Sequence, residues 1–276
     1  MAPLLTPVTQ ALSAYINSQV DWQPLTTKSH LTLLNIIREY VEETNTVWEM
    51  ETLSNDAVTA WQMWLMKEKN YKNSTLGKQV KKLKQFLKNS PTGAPHVNLS
   101  NVAPIHEMRV SSAIVTITAT EMAQLYRLDL SQSPRLERVR DLFILQCYTG
   151  LRYSDVIRLQ RADISGGFIR LETQKVVDGT NIPLFTQAEA ILEKYGYNLA
   201  PLAISNPKQN KYLKELLSLT STLEAIPTLK REVKLPEERG TVRKYPTAPL
   251  YTVISTHCAR KSFISACLEW ASPRIW

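Results

Sequence analysis

Three stretches in the C-terminal half of the chain carry residue types suited to phosphate chemistry. In TGLRYSDVIRL (149–159), Arg152 follows a glycine that stops one helix and opens the next. A guanidinium there lies beside backbone N–H groups that have no intrahelical partner, a combination that suits a phosphate oxygen. Pairing with Asp155, one turn on, is the structural alternative. In STHCARKSF (255–263), Ser255 or Thr256 can cap a helix on which His257 and Arg260 share a face at i, i+3. A histidine beside an arginine at a helix N-terminus can hold an anion and manage a proton, the alternative being an ordinary surface pair. The third residue is Lys175, in LETQKVVDGTNIPL. An amine on a hairpin reaches out from a rigid support and can protonate a leaving group if its pKa is lowered; otherwise it is an exposed hairpin lysine.

Other chemistries find less support. His30, His96, His106 and His257 are scattered, so no zinc-ligand cluster is expected, and no cofactor or metal is implied. P-loop, G-x-S-x-G and H-E-x-x-H motifs are absent. Three cysteines (Cys147, Cys258 and Cys267), without C-x-x-C spacing, argue against a disulfide framework and for a reducing compartment. Neither a signal-peptide pattern nor an apolar run of 18 residues occurs, so a soluble intracellular protein is expected.

The elements that must position these residues read as mostly helical. Only 8 glycines in 276 residues disfavour a glycine-rich nucleotide fold or a turn-dense barrel. The net charge of +8 is concentrated. Residues 67–88 hold eight lysines against a single acid, Glu68. From Ser74, read as its N-cap, this stretch forms a helix with Leu76, Val80, Leu83 and Leu87 on a buried stripe. Lys78, Lys81, Lys82 and Lys88 then face outward, and with Lys84 they make either a solvated face or one that tracks a phosphate backbone.

Upstream, residues 27–44 place Leu31, Leu34, Ile37 and Val41 on one face, and residues 54–68 follow Ser54/Asp56 cap signals. Residues 8–18 form a short, poorly capped helix. Residues 89–116 lose periodicity and gather three prolines, as a linker or an extended docking segment. Thr118 and Glu121 make a capping-box spacing, Pro134 opens a helix that Gly150 stops, and residues 167–185 alternate around Asp178-Gly179 as a β-hairpin. Helices resume at 186–195 and 206–219. A charged, proline-containing loop (227–249) and a strand-like YTVIST then lead to the last helix, near His257. The expected architecture is a mostly α fold with a small antiparallel β-sheet. It divides into an N-terminal segment (1–20), a basic helical domain with its linker (21–110), and an α+β domain (111–276).

Taken together, TGLRYSDVIRL, the hairpin Lys175 and ISTHCARKSF resemble the tyrosine recombinase (phage integrase) family, and most of all integrases of bacterial mobile elements such as conjugative transposons. The resemblance covers roughly residues 20–276. It implies a two-domain clamp on double-stranded DNA and cleavage through a 3′-phosphotyrosyl link without a metal. Arg152 and Arg260 would hold nonbridging oxygens, Lys175 would protonate the leaving 5′-oxygen, and His257 would assist proton transfer. Lys78, Lys81, Lys82, Lys84 and Lys88 would lie on the DNA backbone. The family works as a tetramer on DNA, here in a bacterial cytoplasm, with no membrane.

One element departs from the pattern. The family's nucleophilic tyrosine follows His-x-x-Arg, whereas the last tyrosine here is Tyr251, before His257, and the sequence ends at Trp276. ASPRIW reads as the turn and start of another helix, so the expectation is an integrase lacking its C-terminal end and inactive as it stands. The alternative is a non-catalytic DNA-binding protein or regulator on the same fold, and a helical RNA- or protein-binding module is a third reading.

Overall fold

The computed structural model describes residues 5–91, 93–105, 114–173, 176–222 and 225–271. The chain forms two compact units, Met1–Ser111 with Pro236–Tyr245, and Ser112–Leu235 with Pro246–Trp276.

The first unit is built on α1 (Val8–Asn17), α2 (Pro24–Thr44), α3 (Asn55–Lys67) and α4 (Asn73–Asn89). Pro24 opens α2, where its missing N–H costs nothing, and the Ser54 hydroxyl accepts from Ala57 N at 3.2 Å to cap α3. The core joins Leu12, Leu33, Ile37, Trp61, Leu65, Leu76, Leu83 and Phe86. α1 buries Val8, Leu12, Tyr15 and Ile16 in this core, so residues 8–17 do not form a separate N-terminal segment.

Two details of the sequence reading change. Leu31 is exposed, because α2 turns His30, Leu33, Leu34, Ile37 and Tyr40 inward, and Trp22 stacks on the His30 ring at 4.1 Å. Ser74 is not the cap of α4, which starts one residue earlier. There the Asn73 side chain exchanges two hydrogen bonds with the Gly240 backbone, at 2.9 and 2.8 Å. Gly240 is the turn of a hairpin, Glu237–Arg239 against Val242–Lys244, which belongs to this unit although sequence order places it in the 111–276 half. Residues 93–105 are docked rather than free. Val97 and Val102 are buried, and the Gln62 amide holds Ala103 O and Ile105 N at 3.0 and 2.9 Å.

The second unit opens with α5 (Ala119–Arg127), whose Thr118/Glu121 capping box is formed, and continues with α6 (Pro134–Thr149). Val139, Leu142, Phe143, Ile144, Leu145 and Cys147 bury α6 on nearly every side, so it is the central helix of this unit. Each fully buried Leu or Phe stabilises the fold by about 1.5–3 kcal/mol. The short α7 (Tyr153–Val156) precedes an antiparallel sheet of β1 (Ile164–Ser165), β2 (Phe168–Thr173) and β3 (Val176–Pro183). Thr173 pairs with Val176, so Asp178-Gly179 lies inside β3 and is not the turn of the hairpin.

α8 (Thr186–Lys194) and α9 (Asn206–Thr222) follow. The segment read as a charged loop contains short strands. β4 (Glu232–Lys234) pairs with β7 (Thr247–Pro249), and in the first unit β5 (Glu237–Arg239) pairs with β6 (Val242–Lys244). YTVIST is not a strand, since α10 (Leu250–Val253) makes one helical turn there before α11 (Thr256–Ala271). The chain is thus mostly α with small antiparallel sheets, and among the described residues no helix is long and apolar enough to cross a membrane.

Candidate phosphate-binding site

α6 must end abruptly for Arg152 to emerge where it does. Gly150 ends it with φ 65°, and a Cβ at that position would stand 2.5 Å from Phe263 Cδ1. Both facts demand glycine: the left-handed backbone penalises any L side chain, and α11 packs too close to admit one. Close packing of α11 on this turn brings Arg260 Nη1 to the Gly150 carbonyl, to which it donates at 2.7 Å. Arg152 occupies the N-cap position of α7 and remains 43% exposed.

Arg152, His257 and Arg260 therefore line one open cleft of about 290 Å³, with Leu151, Tyr153, Ser154, Asn206 and Thr256. His257 and Arg260, three residues apart on α11, both line this cleft. The alternative pairing of Arg152 is present only in loose form. Its Nη1 lies 3.9 Å from Asp155, whereas Arg158 approaches the same carboxylate to 3.1 Å. Arg158 thus makes the closer ion pair with Asp155. Two guanidiniums and an imidazole around a cavity of this size suit a tetrahedral oxyanion, because an arginine can grip two oxygens at once. Lys175 lies outside the described residues.

Sequence reasoning missed two residues of the walls, Tyr153 and Asn206, and one that supports them, Asn210. Tyr153 donates its hydroxyl to Ile204 O at 2.6 Å and ties α7 to the segment before α9. From α9, Asn210 Oδ1 accepts from Thr256 N at 2.8 Å, and Asn206 Oδ1 accepts from the Thr256 hydroxyl at 2.9 Å. These two asparagines fix the first residue of α11, next to His257. An asparagine pair at i, i+4 (206 and 210) was the signal available in the sequence, but nothing local links it to Thr256.

The lysine face of α4 is sorted by the structure. Lys78, Lys81, Lys84 and Lys88 are exposed. Lys82 does not face outward: it is half-buried, its Nζ donates to Ser29 O at 2.9 Å, and burial lowers its pKa from the usual lysine value. Two flanking lysines are also occupied, Lys69 by Glu39 and Glu43 at 2.7 Å each, and Lys72 by Glu237. Among the described residues, no group of three or more His, Cys, Asp or Glu side chains is placed to hold a metal ion.

No protein-family model matches the chain, and no curated protein sequence is significantly similar to it. Solved structures are similar in fold. The Tn1549 transposon integrase in complex with a circular intermediate DNA superposes with a TM-score of 0.65 at 12% identity, over 98% of this chain and 89% of that one. A lambda integrase dimer bound to a core site gives a TM-score of 0.65 at 14% identity, over 97% and 88% of the two chains. A lambda integrase tetramer bound to a Holliday junction gives 0.63 at 15% identity, over 99% and 75%. The chain has the fold of the tyrosine-recombinase integrases.

Proposed function

We propose that this chain is a site-specific recombinase of a mobile genetic element that engages DNA and activates a phosphodiester. The observation that carries the reading is the convergence of Arg152, His257 and Arg260 on one cleft, in a fold shared with integrases bound to DNA. In this reading a DNA phosphodiester enters the cleft. Arg152 and Arg260 bind its nonbridging oxygens and stabilise the charge that grows on them as phosphorus becomes pentacoordinate. His257 hydrogen-bonds the phosphate and manages the proton of the attacking hydroxyl, while Lys175 protonates the departing 5′-oxygen. Lys78, Lys81, Lys84 and Lys88 track the backbone of the duplex, with the first unit, α1 and the 237–244 hairpin included, as a DNA-binding domain and the second unit as the catalytic one. Assembly as a tetramer on DNA, as in the lambda integrase junction complex, belongs to the same proposal.

The nucleophile is the open part of the chemistry. Tyr251 is half-buried against the core of the second unit and does not line the cleft. That observation favours, as a second reading, a DNA-binding protein that does not cut. The two are separated with a suicide substrate, a duplex whose cleaved end diffuses away and leaves any covalent intermediate trapped. A recombinase that cuts should leave the substrate covalently trapped, whereas a protein that only binds DNA should hold the duplex and trap nothing. Binding without trapping favours the non-catalytic reading. Loss of neither binding nor trapping in Arg152→Ala and Arg260→Ala sinks the phosphate assignment.

A further inference from the structure

The hydrogen bonds around Thr256 determine which way two amide side chains face, and this adds a residue to the cleft. Thr256 N–H can only donate, so the group of Asn210 that meets it at 2.8 Å must be its carbonyl oxygen. The other end of that amide, Nδ2, is then a donor, and it points at Asn206 Oδ1 at 3.4 Å. Asn206 Oδ1 also takes the Thr256 hydroxyl at 2.9 Å. With its oxygen engaged on this side, Asn206 presents its NH2 group away from the α9–α11 contact. Asn206 is exposed and lines the same cleft as Arg152, His257 and Arg260.

We propose that Asn206 is a further phosphate-contacting residue, donating an N–H of its side-chain amide to a nonbridging oxygen of the phosphodiester held by the two arginines. This inference rests on the reading of the cleft as a DNA phosphate site. The chemistry suits the position. A neutral amide adds a directed donor without increasing the positive charge of Arg152 and Arg260. Its orientation is set in advance by Thr256 and Asn210, so little freedom is lost when the phosphate arrives.

Asn206 also has a supporting role, because it braces the start of α11, and the test must separate the two. Aspartate does so. Asn206→Asp keeps both acceptor bonds, to the Thr256 hydroxyl and to Asn210 Nδ2, and an acid in the first turn of α9 favours that helix. It replaces the donor that faces the phosphate with a negatively charged oxygen. Affinity for a duplex DNA oligonucleotide is measured by fluorescence anisotropy for the wild type, Asn206→Ala, Asn206→Asp and Arg152→Ala, alongside the melting temperature of each.

The expected result is that Asn206→Ala binds about 10-fold more weakly, the cost of one hydrogen bond to a charged group. Asn206→Asp should bind more weakly still, while melting at or above the temperature of Asn206→Ala. Wild-type affinity in Asn206→Asp would overturn the proposal and leave Asn206 only its bracing role. Unchanged affinity in both Asn206 variants, with a loss in Arg152→Ala, would also overturn it while sparing the phosphate site. Unchanged affinity in Arg152→Ala as well would remove the phosphate site itself.

Discussion

Arg260 reaches back from α11 to donate to the carbonyl of Gly150 at 2.7 Å, so the residue that ends α6 also aims the second arginine of the cleft. The same glycine frees Arg152 two residues later. Any change at position 150 should therefore act on both guanidiniums. Gly150→Ala forces a methyl group into the 2.5 Å gap to Phe263 and holds alanine at a left-handed φ of 65°. The backbone term alone costs about 1 kcal/mol, and overpacking adds roughly 1–3 kcal/mol. Gly93→Ala, at φ 70° with nothing within 4 Å, isolates the backbone term. Chemical denaturation should rank Gly150→Ala well below Gly93→Ala, and only the former should weaken DNA binding.

Lysines of α4 that look alike in sequence should separate in a salt titration. Replacing Lys78, Lys81, Lys84 or Lys88 by alanine should leave the fold intact and reduce the slope of log affinity against log salt by roughly 0.9 for each lysine that neutralises a phosphate. Lys82→Ala removes the half-buried amine that bonds Ser29 O, so it should lower the melting temperature and change the salt slope least. A Lys82→Ala slope change equal to that of Lys81→Ala would contradict this division.

What the sequence reveals and what it hides follow from the range of the contacts. Arg152, His257 and Arg260 are legible because their placement is local: a glycine stop, a helix start and an i, i+3 spacing. Asn206 and Asn210 are not, since their partner Thr256 lies 50 and 46 residues away. Lys82 was misread because helical periodicity gives the direction of a side chain only within one helix. It cannot show that a carbonyl of α2 lies close enough to draw a half-buried amine inward. The strands β4–β7 were hidden for another reason. Each has three residues, too few to display an alternating pattern, and four prolines between 227 and 249 suggest a loop.

Asp141 should prove the most costly polar residue in the second unit. It is 2% exposed and accepts from Arg140 Nε, from Lys194 Nζ at 2.8 Å and from the Tyr195 hydroxyl at 2.6 Å. Burial together with that bond pushes the Tyr195 hydroxyl up to about 12. Arg140 also donates to Tyr126 O and Leu128 O at the end of α5, so one carboxylate links α5, α6 and α8. Removing it leaves the buried Arg140 guanidinium with only Glu137, at 3.6 Å, as a counter-charge among the described residues. Asp141→Ala should lower stability by about 3–5 kcal/mol, as read by urea denaturation. The double variant Asp141→Leu/Arg140→Met, which removes both charges, should recover much of that loss.

His30 should make the first unit sensitive to mild acid. Its ring is 3% exposed, its Nδ1 meets Thr26 O at 3.0 Å, and Trp22 stacks on it. A carbonyl partner requires the proton on Nδ1 in the neutral ring, which leaves Nε2 as a buried lone pair without a hydrogen-bond partner among the described residues. Protonating Nε2 places a charge where no acceptor waits. Burial accordingly lowers the His30 pKa below its ordinary 6.5, and the nearby Lys82 ammonium adds to the shift. The folded state then binds fewer protons than the unfolded chain in the interval between the lowered pKa and 6.5, so stability rises with pH across that interval. On acidification from pH 7 the melting temperature of the first unit should fall as pH drops below about 6.5 and level off once the folded histidine also protonates. In His30→Gln, which can keep the bond to Thr26 O but cannot titrate, this part of the pH dependence should vanish. A wild-type melting profile that stays flat from pH 7 to 5, or an unchanged slope in His30→Gln, would assign the acid sensitivity elsewhere.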